Sequence, residues 1–341
     1  MRQTILTLIL ITAAASAFTA LPALGYSASS GFILGGFLVF PLTSPVGQFT
    51  IDTYYGTAGV IKFQPGMVRK LDNGLLSSSL EYRKVLEKKW YGWGNATNAD
   101  SSARMDFEKR NLLVDFTIPA DNGFFVTGGL DVRHSTVFNR EESILWDRLP
   151  GDAFASTWTA GLNGRIGYVM PIPLCGEMLV STLGFFQAGD VSYSGVTGKI
   201  KSTFRPWTGG EIALGARAHR QFNVADTPVP YASGIGQNKN FRGYSDCRFT
   251  GPVWTLYQFE IKEELFSLRD VEGNKSLTVA VTVFAEAGEV AEEFKELSVN
   301  GLHTDVGCGL RFRINPAAEM RIDAAWGDEG MLIQSGFDQA F

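Results

Sequence analysis

The stretch SLTVAVTVFAEAG, residues 276–288, alternates almost without a break. Leu277, Val279, Val281 and Val283 share one parity, while Thr278, Thr282, Phe284, Glu286 and Gly288 share the other. A period of two is the spacing of a strand, whose successive side chains leave opposite faces. One face is purely aliphatic, and the other carries a carboxylate deep within the run. A wall with an apolar outside and a polar inside would have this pattern.

The same alternation recurs along the chain. In 123–134, Phe124, Val126, Leu130 and Val132 oppose Thr127, Asp131 and Arg133; in 254–262, Tyr257, Phe259 and Ile261 oppose Gln258, Glu260 and Lys262. Val306, Cys308, Leu310 and Phe312 oppose Asp305, Arg311 and Arg313, and Ile322, Ala324 and Trp326 oppose Arg321 and Asp323. A soluble sandwich also alternates. Here, however, charges run deep into long strands, no separate set of polar outer strands exists, and the apolar rows end in aromatics, as interfacial girdles do. The expected fold is all-β: a transmembrane antiparallel barrel.

Composition agrees. Of 341 residues, 45% are hydrophobic, 19% are charged and 38 are glycine. After the first residues, the longest nearly uncharged apolar run is GFILGGFLVFPL, 31–42. A membrane helix needs about 20 residues, whereas about 9–11 suffice for a strand. A net charge of −5 without a basic tract argues against nucleic acid as a partner. The opening MRQTILTLILITAAASA has a cationic start, an apolar core and the small-residue site Ala15-Ser16-Ala17, so residues 1–17 read as a secretory signal. Cleavage after Ala23 or Gly25 is also open, and the barrel domain is expected over 18–341. Cys175, Cys247 and Cys308 are odd in number, allow at most one disulfide and have no metal-ligand spacing, so free thiols are expected.

Short turns fall at 42–47, 120–123, 205–210 and 315–319, and longer loops at 86–103, 138–153, 222–251 and 288–301. Short periplasmic turns alternating with long outer loops are the barrel arrangement, and closure removes exposed edges. Fifteen runs follow residue 28, and an even total requires residues 18–27 as the first of sixteen strands. Pro22 cannot donate to a ladder, which suits a seam strand.

The order of LGYSASSGFILGGF, YGWGNAT, NFRGYSDCRF, LYQFEI, FAEAGEV, VGCGLRFRI, MRIDAAWG and a terminal QAF resembles the bacterial surface antigen superfamily, the BamA-type outer-membrane assembly barrels. The resemblance implies a sixteen-stranded barrel in the cell outer membrane whose sixth outer loop folds into the lumen. It also implies that the tip, Phe241-Arg242-Gly243-Tyr244, is anchored by an acidic residue on the thirteenth strand. Here that strand offers Phe284, Glu286 and Gly288, and their parity independently faces inward. The family's usual aspartate is Glu286, one methylene longer, and Asp338 stands where a glycine often kinks the last strand. Phe337 and Phe341 fit the terminal aromatic signal of such barrels. Nothing lies between signal and first strand, so the chain resembles barrel-only members lacking POTRA domains. Family members fold other barrels into the membrane or pass polypeptides across it. Outer-membrane lipid, a client polypeptide and a separate periplasmic partner are the implied associates; the alternative is a passive channel or structural surface barrel.

An arginine has a rigid fork of donors suited to bidentate contact with a carboxylate, and a glycine beside it lets the backbone turn tightly and approach the wall. The lumen is expected to hold Asp131, Arg133, Glu211, Arg217, His219, Glu260, Lys262, Glu286, Asp305, Arg311, Arg313, Arg321 and Asp323, six acids and six bases besides the histidine, mutually paired. His134, His219 and His303 have no neighbours at metal-binding spacing, and no nucleophile elbow or phosphate loop occurs. The expectation is a protein that is not an enzyme and holds no metal or cofactor. A barrel-wall hydrolase would have to rest on His219.

Overall fold

The computed structural model describes residues 19–27, 31–43, 46–120, 122–146, 149, 151–172, 176–236, 241–246, 248–269, 276–315 and 318–337. The signal segment, Cys175, Cys247, Asp338 and Phe341 lie outside them. The alternating runs become the strands β1 (Thr19–Ser27), β2 (Gly31–Thr43), β3 (Val46–Gly56), β4 (Val60–Leu71), β5 (Gly74–Trp90) and β6 (Ala103–Pro119). They continue as β7 (Phe124–Arg140), β8 (Thr157–Ile172), β9 (Gly176–Gly189), β10 (Tyr193–Phe204) and β11 (Gly210–Phe222). Two short strands, β12 (Gly234–Ile235) and β13 (Phe249–Thr250), pair with each other inside the longest loop. The wall resumes with β14 (Val253–Arg269), β15 (Ser276–Ala291), β16 (His303–Asn315), β17 (Ala318–Gly327) and β18 (Gly330–Phe337).

β1–β11 and β14–β18 form one sixteen-stranded antiparallel sheet in chain order. The sheet curls until β1 lies beside β18, with Cα atoms within 8 Å. Among the described residues no hydrogen-bonded ladder joins these two. The barrel meets itself at a seam that is adjacent but unpaired.

The faces sort as the alternation requires. Leu130, Leu162 and Phe186 adjoin in register on β7, β8 and β9 and are 53–62% exposed. Asp131 and Gln187, one residue along the same strands, are buried inside. Leucines outside and carboxylates inside would be backwards in water; against hydrocarbon the arrangement is stable. No helix among the described residues is long and apolar enough to cross a membrane. Tyr55, Trp158, Phe222, Tyr257 and Trp326 stand exposed on the outer surface.

The strands extend further than alternation suggested at the long-loop end. β5 runs to Trp90 past a bulge between Val85 and Lys88, where Glu87 has φ 51°, so the loop read from 86 begins only after Trp90. There Val85, Trp90, Met105 and Phe107 bury against Trp146, Phe154 and Val229. Loops cover the inside of the wall at this level, so most of its inward side chains are apolar, with Lys88 the charged exception, and the charged-inward signature weakens before the strand ends.

Candidate functional site

Between β11 and β14 the described loop residues, 223–236, 241–246 and 248–252, lie within the barrel. Their tip turns at 241–244, and Phe241, Arg242 and Tyr244 are all buried. Arg242 is 0% exposed. Glu286 of β15 meets it through both oxygens. Oε2 accepts the Arg242 backbone N–H at 2.7 Å and Oε1 accepts Nε–H at 2.9 Å. The side-chain contact is therefore not the bidentate fork expected from the guanidinium: the longer glutamate reaches past it to the main chain. The other arm goes elsewhere. Nη1 donates to Glu260 Oε2 on β14 at 2.8 Å, and the guanidinium carbon lies 3.3 Å from the centre of the Phe284 ring.

These carboxylates belong to a wider web. Gln258 Nε2 donates to Glu286 Oε1 at 2.6 Å. Arg311 on β16 joins Glu260 at 3.1 Å to Asp323 at 2.7 Å, and Arg321 on β17 reaches the other Asp323 oxygen at 2.6 Å. Gln334 on β18 donates to the Arg242 carbonyl at 2.5 Å. One arginine at a loop tip is thus tied to strands from β14 to the terminal strand. In this buried cluster each of these ions keeps a partner, as buried charge requires.

Gly243 has no left-handed φ, so the turn does not demand glycine. Space does. Its N–H donates to Asp305 Oδ2 at 2.5 Å, and an added Cβ would lie 2.5 Å from the Asp305 Cβ. The wall has made room in the same way. A Cβ on Gly288 would meet Ile235 Cδ1 of the loop at 2.7 Å, one on Gly307 would meet the Phe284 ring at 2.2 Å, and one on Gly327 would meet the Tyr244 ring at 2.9 Å. Tyr244 packs on Phe241 and Phe249, and its hydroxyl donates to the Thr304 carbonyl at 2.9 Å.

The loop has a second anchor on the far wall. Lys88 of β5 donates to the Asp246 carbonyl at 2.7 Å and meets its carboxylate at 2.6 Å. Burial pushes the Asp246 carboxyl up, but the Lys88 and Arg83 charges outweigh it and hold the group well below the usual carboxylate range. Above this, hydrogen bonds join loops across the mouth. The Gly94 N–H donates to the Thr250 carbonyl at 2.8 Å, Arg248 grips Thr97, and Asn95 bridges to the Gly301 carbonyl.

The expected lumen residues lie on the inner face, and pairing is extensive there, with Arg133–Asp131, Lys262–Glu211 and Arg313–Glu319 added to the web above. Phe337 closes β18. His219 is buried between the rings of Trp254 and Phe185, and its Nδ1 lies 2.8 Å from Thr197 Oγ1; a threonine, not a serine, is its partner. Sequence reasoning placed Glu260, Asp323 and Arg311 inside without linking them to Arg242, and it overlooked Gln334 and Lys88. The signal for Gln334 was a polar residue of inward parity in an apolar terminal strand.

No protein-family model matches the sequence, and no curated protein matches it. Solved structures do share the fold. BamA from Haemophilus ducreyi lacking POTRA domains 1–3 aligns with TM-score 0.61 at 12% identity, over 94% of this chain and 70% of that one. CdiB from Escherichia coli aligns with TM-score 0.66 and CdiB from Acinetobacter baumannii with 0.58, both at 12% identity over 94% of this chain. The alignments span 64% and 59% of the two CdiB chains. At this identity the likeness is one of architecture.

Proposed function

We propose that the chain is an integral outer-membrane barrel that assists insertion or translocation of polypeptide, with the seam between β1 and β18 as its working edge. The observation that carries this reading is that, among the described residues, no ladder joins these two neighbouring strands. Strand edges with free N–H and C=O groups template an incoming strand, and here two such edges face each other in the wall. The likeness to BamA and CdiB barrels supports the same reading. The apolar belt would face outer-membrane lipid, the client would pair at the seam, and a separate periplasmic protein would deliver it. A passive channel has less support, because the inward loop crosses the lumen between β5 and β15 and hydrogen bonds join loops across the long-loop mouth.

The test is a folding assay in proteoliposomes. An unfolded outer-membrane barrel offered as client should fold faster with the protein than with empty liposomes. A cysteine pair joining β1 to β18 should remove the acceleration when oxidised and restore it on reduction. Equal rates in stapled and open protein, or no acceleration at all, would rule the seam out.

A further inference from the structure

Near the short-turn rim the inner face of the wall changes character from one side to the other. Phe125 and Leu179 share the parity of Asp131 and Gln187, which places them inside. Val169 on β8 lies directly across the ladder from Leu179, and Phe125 faces Gly167, two residues from Val169. Leu183, on the same inward parity of β9, extends the band, with Val169 exposed and the others half-buried. Lipid covers the outward leucines, whereas this band is bared to the lumen, and exposed apolar bands mark interaction sites. The band ends at β9: on its far side Leu179 meets Lys201 of β10. Beyond it the rim is charged. A cavity of about 500 Å³ opens there between the β10–β11 turn and β14–β17, and its lining holds four cations and three carboxylates. In two of its ion pairs the carboxylate is tucked in and the guanidinium stands out. The Arg205 side chain is 61% exposed against 14% for Glu211, and that of Arg313 37% against 10% for Glu319. Each arginine grips its carboxylate through Nε and Nη2, which leaves Nη1 as a further donor. Glu264 is the exposed acid of this lining, outnumbered by the two outstanding guanidiniums.

We propose that this rim receives an extended polypeptide segment whose apolar row lies on the Phe125–Val169–Leu179 band and whose alternate row carries acids toward Arg205 and Arg313. Successive side chains of an extended chain leave opposite faces, and packed sheets lie about 10 Å apart. A strand seated on the band therefore runs inside the wall with its other row directed across the lumen, toward the charged side. Guanidinium forks suit carboxylates there. A lipid tail would cover the band but would bring no row of acids for the opposite side. As a client's station before the seam, the site rests on the function proposed above, and the test separates the two.

The probe is a synthetic peptide of alternating valine and glutamate, about ten residues long, the length of a membrane-crossing strand. It is added to the full chain in lipid nanodiscs, which leave both rims open, with the photocrosslinker benzoylphenylalanine in place of Leu179. Labelling should saturate with peptide concentration, whereas the crosslinker in place of the lipid-facing Leu162 should give none. A shuffled peptide of the same composition and an alternating valine–lysine peptide should each need at least tenfold more. Val169→Asp should abolish labelling, and Arg313→Gln should weaken it at least threefold; heat-modifiable migration in gels confirms that each variant is folded. Equal labelling by the three peptides, unchanged labelling in both variants, or crosslinks to lipid at position 179 that the peptide does not displace would overturn the site. The barrel stapled at the seam should be labelled as well as the open one. Labelling without accelerated client folding would keep the site and sink the seam; acceleration without labelling would do the reverse.

Discussion

Replacing Arg242 with alanine removes one charge-assisted bond from each of two buried carboxylates. Their remaining partners set the cost. Glu286 keeps the residue-242 backbone N–H and Gln258, while Glu260 keeps Arg311. Breaking a buried pair from one side typically costs about 3–5 kcal/mol, and these residual donors place the variant near the lower end, at about 3 kcal/mol. That is about a hundredfold change in the equilibrium between a held and a released loop tip. Hydrogen exchange in detergent micelles reads this directly, because the backbone amides of residues 242 and 243 both donate to wall carboxylates. Their exchange should accelerate about a hundredfold in Arg242→Ala, with less effect in Glu286→Gln, whose amide oxygen still accepts. Acceleration below about threefold in Arg242→Ala would mean the aromatic packing alone holds the tip, and the clasp would have no energetic role.

Two further outcomes follow from the same loop. Gly243→Ala places a methyl against Asp305 with no room to turn aside, and should destabilise the docked tip by about 1–3 kcal/mol; exchange at Tyr244 no faster than in the parent would refute it. Asp246 is held below its ordinary range by Lys88 and Arg83, so its contribution is complete above the unfolded value of about 3.9 and disappears as pH falls through the folded one. The thermal midpoint of Asp246→Asn should therefore trail the parent by a constant amount above about pH 5 and converge with it in strong acid. A gap that widens on acidification would reverse the sign of the argument.

Strand identity was legible because alternation is a local property: Leu130 beside Asp131, or Val283 beside Phe284, declares two faces within a few residues. Partner choice was not, since it depends on register accumulated across the wall. Glu260 meets Arg311 across β15, four residues along β16 from Gly307, which the ladders set level with Glu260, and no local spacing contains that. The Arg242–Glu286 pairing came from family resemblance, with parity as support, while the split of the carboxylate between the main chain and Nε became visible only in the structure. The long-loop strand ends escaped notice for a different reason. Around Trp90 and Met105 the interior is packed largely with loop aromatics, Lys88 aside, so the two faces are less distinct chemically.

The bond from Gln334 to the Arg242 carbonyl has a mechanical consequence. Gln334 rides on β18, the last stave of the cask, whose free side borders the first. If that stave swings outward, it must either drag the loop tip with it or let go of a carbonyl the loop offers. The inner tether and the outer joint are thus one linkage, so loosening the arginine should make the joint easier to spread, even though the two sit on different parts of the polypeptide.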